Sequence, residues 1–370
     1  MKRKYIAGFC FALIFGTFGV NAEEKPQTDP TGEKEIEWIR QSLITGREIE
    51  LEFDRDVKYT EDPKTYEVVV NGDAIEEVSV ISYFDNMVTL RLPKEIEDPE
   101  HAVIEVSVTD ESVRDEEDNY MDTEKTYEVS YQPYYTKEYT SKCGIKIKAC
   151  DLVEDNTLKY TADVVDIMAS KRPEVAEALV SAGADIALYP KEQNIYYIPE
   201  HREFYDPEAM TIEGFGGTLE IPTTSLAAAN IERDREYAQY PDANVLAHEF
   251  GHAFHLIGIK LADPELFDEI QKTYDQVVEE GLWQNTYLIS SVEEYFGQLS
   301  ACWFEGLDES SDGSFNGVLA PVNTREELKE YDKASYELLQ KIYPDDVYFG
   351  SPWSKEEAKD HFDIEGNERE

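Results

Sequence analysis

From Arg47 to about Tyr131 apolar and polar residues alternate with a period of two, through REIELEFDRDVKY, KTYEVVVNGDAI, EEVSVISYFDNMVTLRLP, HAVIEVSVTDESVRD and KTYEVSYQ. The runs are rich in β-branched residues and Tyr, and NGD and DNM punctuate them as turns, so the pattern predicts an all-β sandwich. After QPYYTKEYTSKCG (132–144) the period changes. Apolar positions around 160–182 recur at helical spacing, Pro173 divides them into two helices or opens the second, and Gly183 stops the run. ADIALYP (184–190) then reads as a buried strand. A helix follows in VLAHEFGHAFHLIG (245–258), with Val245, Leu246, Phe250, Phe254 and Ile257 as its apolar positions. Pro241 and Asp242 mark its start and Gly258 its stop. A second helix lies within 281–306, with Val292, Tyr295, Phe296, Leu299 and Trp303 as its stripe. Helix and strand mix in this half, so the chain reads as multidomain: an all-β module followed by an α+β domain.

The order of the β segments resembles the bacterial Ig-like domains of secreted multidomain proteins. That likeness covers most of 45–131 and implies a spacer or binding module. The expected organisation is therefore a signal peptide (1–22), a polar lead (23–43), an Ig-like β-sandwich (44–131), a linker (132–142), an α+β domain carrying the chemistry (143–362) and an acidic tail (363–370).

The signal reading rests on a basic start at Lys2, Arg3 and Lys4, an apolar run from Tyr5 to Val20, and small-residue spacing before Glu23. Cleavage is expected near Ala22, giving a secreted or periplasmic protein with no stable membrane insertion. Phe9 before Cys10 argues against a lipoprotein. Acidic residues number 80 against 34 basic ones, a net charge of −46, and loss of three basic residues with the signal takes this to −49. Such a charge excludes a general affinity for nucleic acid or an anionic membrane, both of which require Lys and Arg clusters. Export permits disulfides, and the seven-residue spacing of Cys143 and Cys150 suggests a small bridged loop, leaving Cys302 in an apolar helix.

The chain has only six histidines, and three of them fall in the 245–258 helix. His248, Glu249 and His252 form H-E-x-x-H. Residues four apart on a helix lie about 40° from each other, so both imidazoles leave one face. Two neutral imidazole nitrogens in that arrangement can hold Zn²⁺, with Glu249 beside them as the base toward a metal-activated water. A third protein ligand is required, and Glu293 and Glu294 on the second helix are the candidates.

The spacing Tyr-x6-Glu-Tyr-Phe on a helix after H-E-x-x-H resembles gluzincin metallopeptidases of the anthrax-lethal-factor and Pro-Pro endopeptidase kind, and more closely a group of secreted bacterial and fungal zincins. The likeness extends over most of 143–345, including IPEH, GFGGT and NTREELKEYDKASYELLQKIYP. It implies a zincin fold, one catalytic Zn²⁺, a protein or peptide substrate, His248, His252 and Glu294 as zinc ligands, Glu249 as general base, and Tyr287 as oxyanion donor. Two departures stand out: Gly297-Gln298 where the family has Ala-Glu or a similar pair, and Ser291 where it often has Asn.

His255 is expected to pack or to support the site rather than bind metal, and His201 to lie solvated in a loop. GFGGTLEIP (214–222) reads equally as a substrate-pairing edge strand or a plain turn. DESSDGSF (308–315) fails the EF-hand template because Leu319 stands where Glu belongs, which leaves only a weak structural Ca²⁺ site in the acidic runs. Two readings compete with a peptidase: a nearly inert surface or binding protein, and a zinc amidase acting on a cell-wall amide.

Overall fold

The alternation in the first half of the chain becomes eight strands: β1 (Trp38–Leu43), β2 (Glu48–Phe53), β3 (Tyr66–Val70), β4 (Asp73–Ala74), β5 (Ser79–Phe84), β6 (Met87–Arg91), β7 (Ile104–Val108) and β8 (Tyr127–Tyr131). The structure is a computed structural model and describes residues 25–84, 86–206, 212–232 and 234–347. The signal segment and the acidic tail lie outside these residues. The described chain divides into two compact units, one of 25–134 with 199–206, the other of 135–198 with 212–347.

In the first unit the strands pair in the order β4-β3-β7-β8-β1-β2-β6-β5. Neighbours are antiparallel except β1 and β8, which run parallel. Period-two patterning buries one face: in β7, Ile104, Val106 and Val108 are buried while Glu105 is exposed. Trp38, Phe53, Val68, Leu90 and Val106, drawn from both arms of the series, share a single core, so the sheet folds over itself. A short helical segment, Pro199–Phe204, joins this unit late in the chain. Its Arg202 is fully buried, with Nη2 2.6 Å from Glu50 Oε2 and Nη1 donating to Thr89 Oγ1 at 2.8 Å. Arg40 Nη2 reaches the other Glu50 oxygen at 2.6 Å. Burial alone would raise the Glu50 pKa, but the two guanidiniums hold it below the usual carboxylate range. His201, expected in solvent, is buried here because its turn packs on the sheet.

The second unit is built on a five-stranded sheet of β9 (Lys137–Thr140), β10 (Lys146–Ala149), β11 (Asp185–Tyr189), β12 (Gly214–Phe215) and β13 (Thr223–Ala227), in the order β12-β13-β11-β10-β9. β9 falls within the stretch read as a linker. The pairs β10–β11 and β11–β13 are parallel, and helices α1 (Asp155–Ala169) and α2 (Pro173–Ser181) make the first of these crossovers. Pro173 opens α2. The remaining helices are α3 (Ala228–Glu232), α4 (Val245–Ala253), α5 (Lys260–Ala262), α6 (Pro264–Glu280), α7 (Val292–Trp303), α8 (Arg325–Tyr331) and α9 (Lys333–Ile342). Together the units make an α+β chain. Among the described residues no helix is long and apolar enough to cross a membrane.

Two expectations are corrected here. Cys143 and Cys150 are unbridged. The intervening β10 is extended, and four extended residues already cover about 13 Å, whereas a disulfide requires Cα atoms within ~7 Å. Gly258 does not end the helix that carries His248 and His252: α4 runs on through a π-helical segment, Phe254–Ile259, into α5. Gly258 serves close packing instead, since a Cβ there would lie 2.5 Å from Val175 Cγ1 on α2. Among the described residues the acidic runs contain no further group of three His, Cys, Asp or Glu side chains close enough to share an ion. Asp115, for example, accepts from the Glu117 and Asn119 backbone N–H groups, the Asn119 amide and Arg55. Protein donors already satisfy that carboxylate.

Candidate metal centre

Helix α4 starts where Asn244 caps it, its side chain accepting from the Ala247 N–H at 3.0 Å, two residues later than the expected start at Asp242. The helix packs against α7, β12 and β13 and is buried along its whole length. Helix α7 is capped by Ser291, which accepts from the Glu294 N–H at 3.2 Å. Ser and Asn are both good N-caps, so Ser291 performs the task that an Asn would. S-x-x-E at this start reads as a capping box, yet the Glu294 carboxylate turns toward α4.

His248, His252 and Glu294 converge as a group that could hold a metal ion, and they are the one such group among the described residues. The two Nε2 atoms are 3.0 Å apart, and Glu294 Oε2 lies 3.3 Å from His248 Nε2 and 3.8 Å from that of His252. Ligands at 2.0–2.1 Å on a tetrahedral ion are separated by roughly 3.3 Å, so these three edges bracket the spacing that such an ion demands. All three residues are more than nine-tenths buried. At that separation one of the facing nitrogens donates an N–H to the other, or a cation lies between them. Without metal that role falls to one proton. Burial works against it, but hydrogen bonding to Glu294 and the charges of Glu249 and Glu294 raise the His248 pKa above its usual value. Burial drives His252 down to about 4. The Glu294 carboxyl is likewise opposed by burial but is held low by His252, His248 and the Tyr287 hydroxyl.

Glu249 is buried one residue after His248, and Tyr287 is half-buried with its hydroxyl bonded to Glu294. The segment before Tyr287 is conformationally strained: Trp283 and Asn285 both adopt positive φ (55° and 63°). Trp283 is fixed by its indole N–H donating to Asp332 at 2.8 Å, and the Tyr287 N–H donates to the Val318 carbonyl at 2.8 Å. Glu293, the rival ligand in the sequence, is not part of the converging group. His255 lies in the π-helical segment, its ring between those of Phe267 and Phe296 at 4.8 and 4.9 Å, and burial lowers its pKa to about 3. It is a neutral packing residue.

Sequence reasoning missed the glycines that let backbone approach the site. A Cβ on Gly214 would sit 2.6 Å from Glu249 Cγ, and one on Gly216 2.3 Å from His252 Cβ. A Cβ on Gly297 would fall 2.8 Å from His252 Cε1 and 3.0 Å from His248 Nδ1. The signal was present in the glycine-dense GFGG and in the unexpected Gly297, but only contact across elements reveals what these glycines avoid.

No protein-family model matches this chain, and no curated protein does. Among solved structures, the chain is similar to a Pro-Pro endopeptidase from Paenibacillus alvei at 18% identity and a TM-score of 0.26, over 50% of this chain and 90% of that one. It is also similar to the bacterial surface-layer protein SbsC at 18% identity and a TM-score of 0.24, over 29% of this chain and 15% of that one. The chain thus spans only a small part of the surface-layer protein. Scores of this size carry no argument about function, which rests on the site itself.

Proposed function

We propose that the protein is an exported zinc metallopeptidase of zincin type, preceded by an Ig-like module that spaces or docks it, and acting on protein or peptide substrates. The triangle of His248 Nε2, His252 Nε2 and Glu294 Oε2 carries this reading, because its edges suit one tetrahedral ion with a position left open. When bound, zinc supplies Lewis acidity toward water and toward a peptide carbonyl.

The chain's own groups do the rest. Glu249, kept dry beside His248 and given room by Gly214, takes a proton from the attacking water and delivers it to the leaving amine. Tyr287 turns its hydroxyl from Glu294 to the developing oxyanion, a contribution of about 3 kcal/mol for one good donor. Edge strand β12, with Gly214 in it and Gly216 just after it, offers backbone groups to an extended substrate.

The test is cleavage of a diverse peptide library by the zinc-loaded mature protein, with Glu249→Gln as the blank. Glu249→Gln should retain one zinc per chain and lose roughly 10²–10⁴-fold in rate. Equal cleavage by both would remove Glu249 from the mechanism. One zinc bound with no cleavage by either would favour the surface-protein reading, and no zinc in the wild type would overturn the assignment altogether.

A further inference from the structure

Glu213, immediately before edge strand β12, is a buried carboxylate that the proposed chemistry does not use. Its backbone carbonyl accepts from the Ala227 N–H at 3.1 Å and from the Tyr189 hydroxyl at 3.0 Å, which ties it to β13 and β11. Its side chain reaches a different segment. Oε1 accepts from the Gln239 N–H at 3.1 Å, and Oε2 from the Tyr240 N–H at 2.9 Å. The next residue is Gly214, whose backbone lies so near Glu249 that a Cβ would sit 2.6 Å from Glu249 Cγ. One residue thus joins the turn ahead of α4 to the strand beside the proposed base. The far side of that turn is held by a neutral group, since Asn230 donates to the Tyr240 and Ala243 carbonyls and accepts from the Val245 N–H. The Glu213 link depends instead on a charge. Each of its oxygens faces an N–H, and protonation would turn one of these acceptors into a hydroxyl donor.

We propose that Glu213 is a positioning residue that clamps β12 to the 239–240 turn and so sets where an extended substrate lies relative to Glu249, the clamp being closed only while the carboxylate is ionised. This inference rests on the peptidase reading, in which β12 pairs with substrate. Burial pushes the Glu213 pKa up to about 7, against the pull of the two N–H groups. The ionisable groups placed around residues 213 and 214 are Tyr189 on β11, Tyr240 on the turn and Glu249 on α4. Charged side chains of the turn are engaged elsewhere, Arg235 with Asp242 and Asp234 with Lys191, and β13 carries none. Among the described residues no basic side chain contributes to the Glu213 balance. The clamp therefore closes as pH rises through about 7 and opens as it falls. An unfolded glutamate ionises near 4.5, so this group's contribution to stability is complete below that value and is lost as pH rises through about 7. Closing the clamp costs the fold stability, and the substrate strand gains definition.

Amide hydrogen exchange of the full mature chain, loaded with zinc, would be followed by mass spectrometry over 236–243, about one pH unit below and above the Glu213 pKa, with correction for the intrinsic rate. Wild-type protection should be roughly fivefold lower at the lower pH, about what one ordinary hydrogen bond is worth. Glu213→Gln, with a single acceptor oxygen, should show the lower protection at both pH values and still bind one zinc. For the library peptide that the wild type cleaves fastest, Glu213→Gln should have a KM roughly fivefold above wild type at the higher pH, with kcat within about twofold. The two KM values should meet at the lower pH. Wild-type protection that ignores pH, or an equal pH step in Glu213→Gln, would overturn the clamp. Matching KM values at the higher pH would overturn the positioning role while leaving the peptidase reading intact. Lost zinc and lost protection throughout the second unit in Glu213→Gln would also overturn it, by showing a purely structural role. A wild type whose turn responds to pH but which cleaves no peptide would remove the peptidase reading, and the positioning role with it.

Discussion

Each unit of this protein buries a cluster of charged or ionisable groups, and the two clusters are balanced in opposite ways. In the β unit Glu50 receives Arg202 on one oxygen and Arg40 on the other, and Arg202 is further bonded to Thr89. Every charge there has its complement within the protein. In the α+β unit two imidazole nitrogens and a carboxylate oxygen face one another at 3.0–3.8 Å. A closed cluster holds a fold together, and an open one is completed by something from outside.

The most forceful way to break this contrast is to remove one member from each cluster. His252→Ala should weaken Zn²⁺ binding several hundredfold, since structural zinc sites gain about 3–4 kcal/mol per ligand. The same change should cost the metal-free protein little, because the raised His248 still has Glu294 to pair with. Arg202→Met should do the reverse, costing about 3 kcal/mol of stability by leaving one oxygen of the buried Glu50 carboxylate without its partner while zinc binding survives. Denaturant titration and chelator competition on both variants decide the matter. A metal-free His252→Ala as unstable as Arg202→Met would erase the distinction.

pH provides a gentler probe. The folded His248 pKa is raised, so its protonated form stabilises the metal-free protein fully below about 6.5, and that stability is lost as pH rises through the folded value. Metal must displace this proton. Zinc affinity should therefore fall about tenfold per pH unit below the folded His248 pKa, and more steeply only near pH 4, where His252 also protonates. Calorimetry in two buffers of different ionisation enthalpy should report proton release on zinc binding that grows as pH falls through the folded His248 pKa. Zinc uptake with no proton release would contradict a shared proton.

The smallest expected effect concerns His255, whose Nδ1 is buried without a hydrogen-bond partner between two rings. His255→Phe should raise stability by about 1 kcal/mol, because an unsatisfied buried polar atom is removed, and should leave zinc affinity unchanged. A drop in zinc affinity would return His255 to the metal site.

By itself the sequence determined what local periodicity and spacing can carry. Alternation made the strands of the first half, helical spacing made α1, α2, α4 and α7, and four-residue spacing put His248 and His252 on one face. These depend on neighbours along the chain, so they are legible in it. Tertiary structure decided whatever depends on neighbours across space. It brought Glu294 rather than Glu293 into the group with the imidazoles and sent His255 between two aromatic rings. It kept Cys143 and Cys150 apart across an extended strand and buried Arg202 on Glu50, 152 residues earlier in the chain. It also gave Gly214, Gly216, Gly258 and Gly297 their meaning. The need for glycine arises from the surface pressed against it, and a chain read one residue at a time contains no record of that surface.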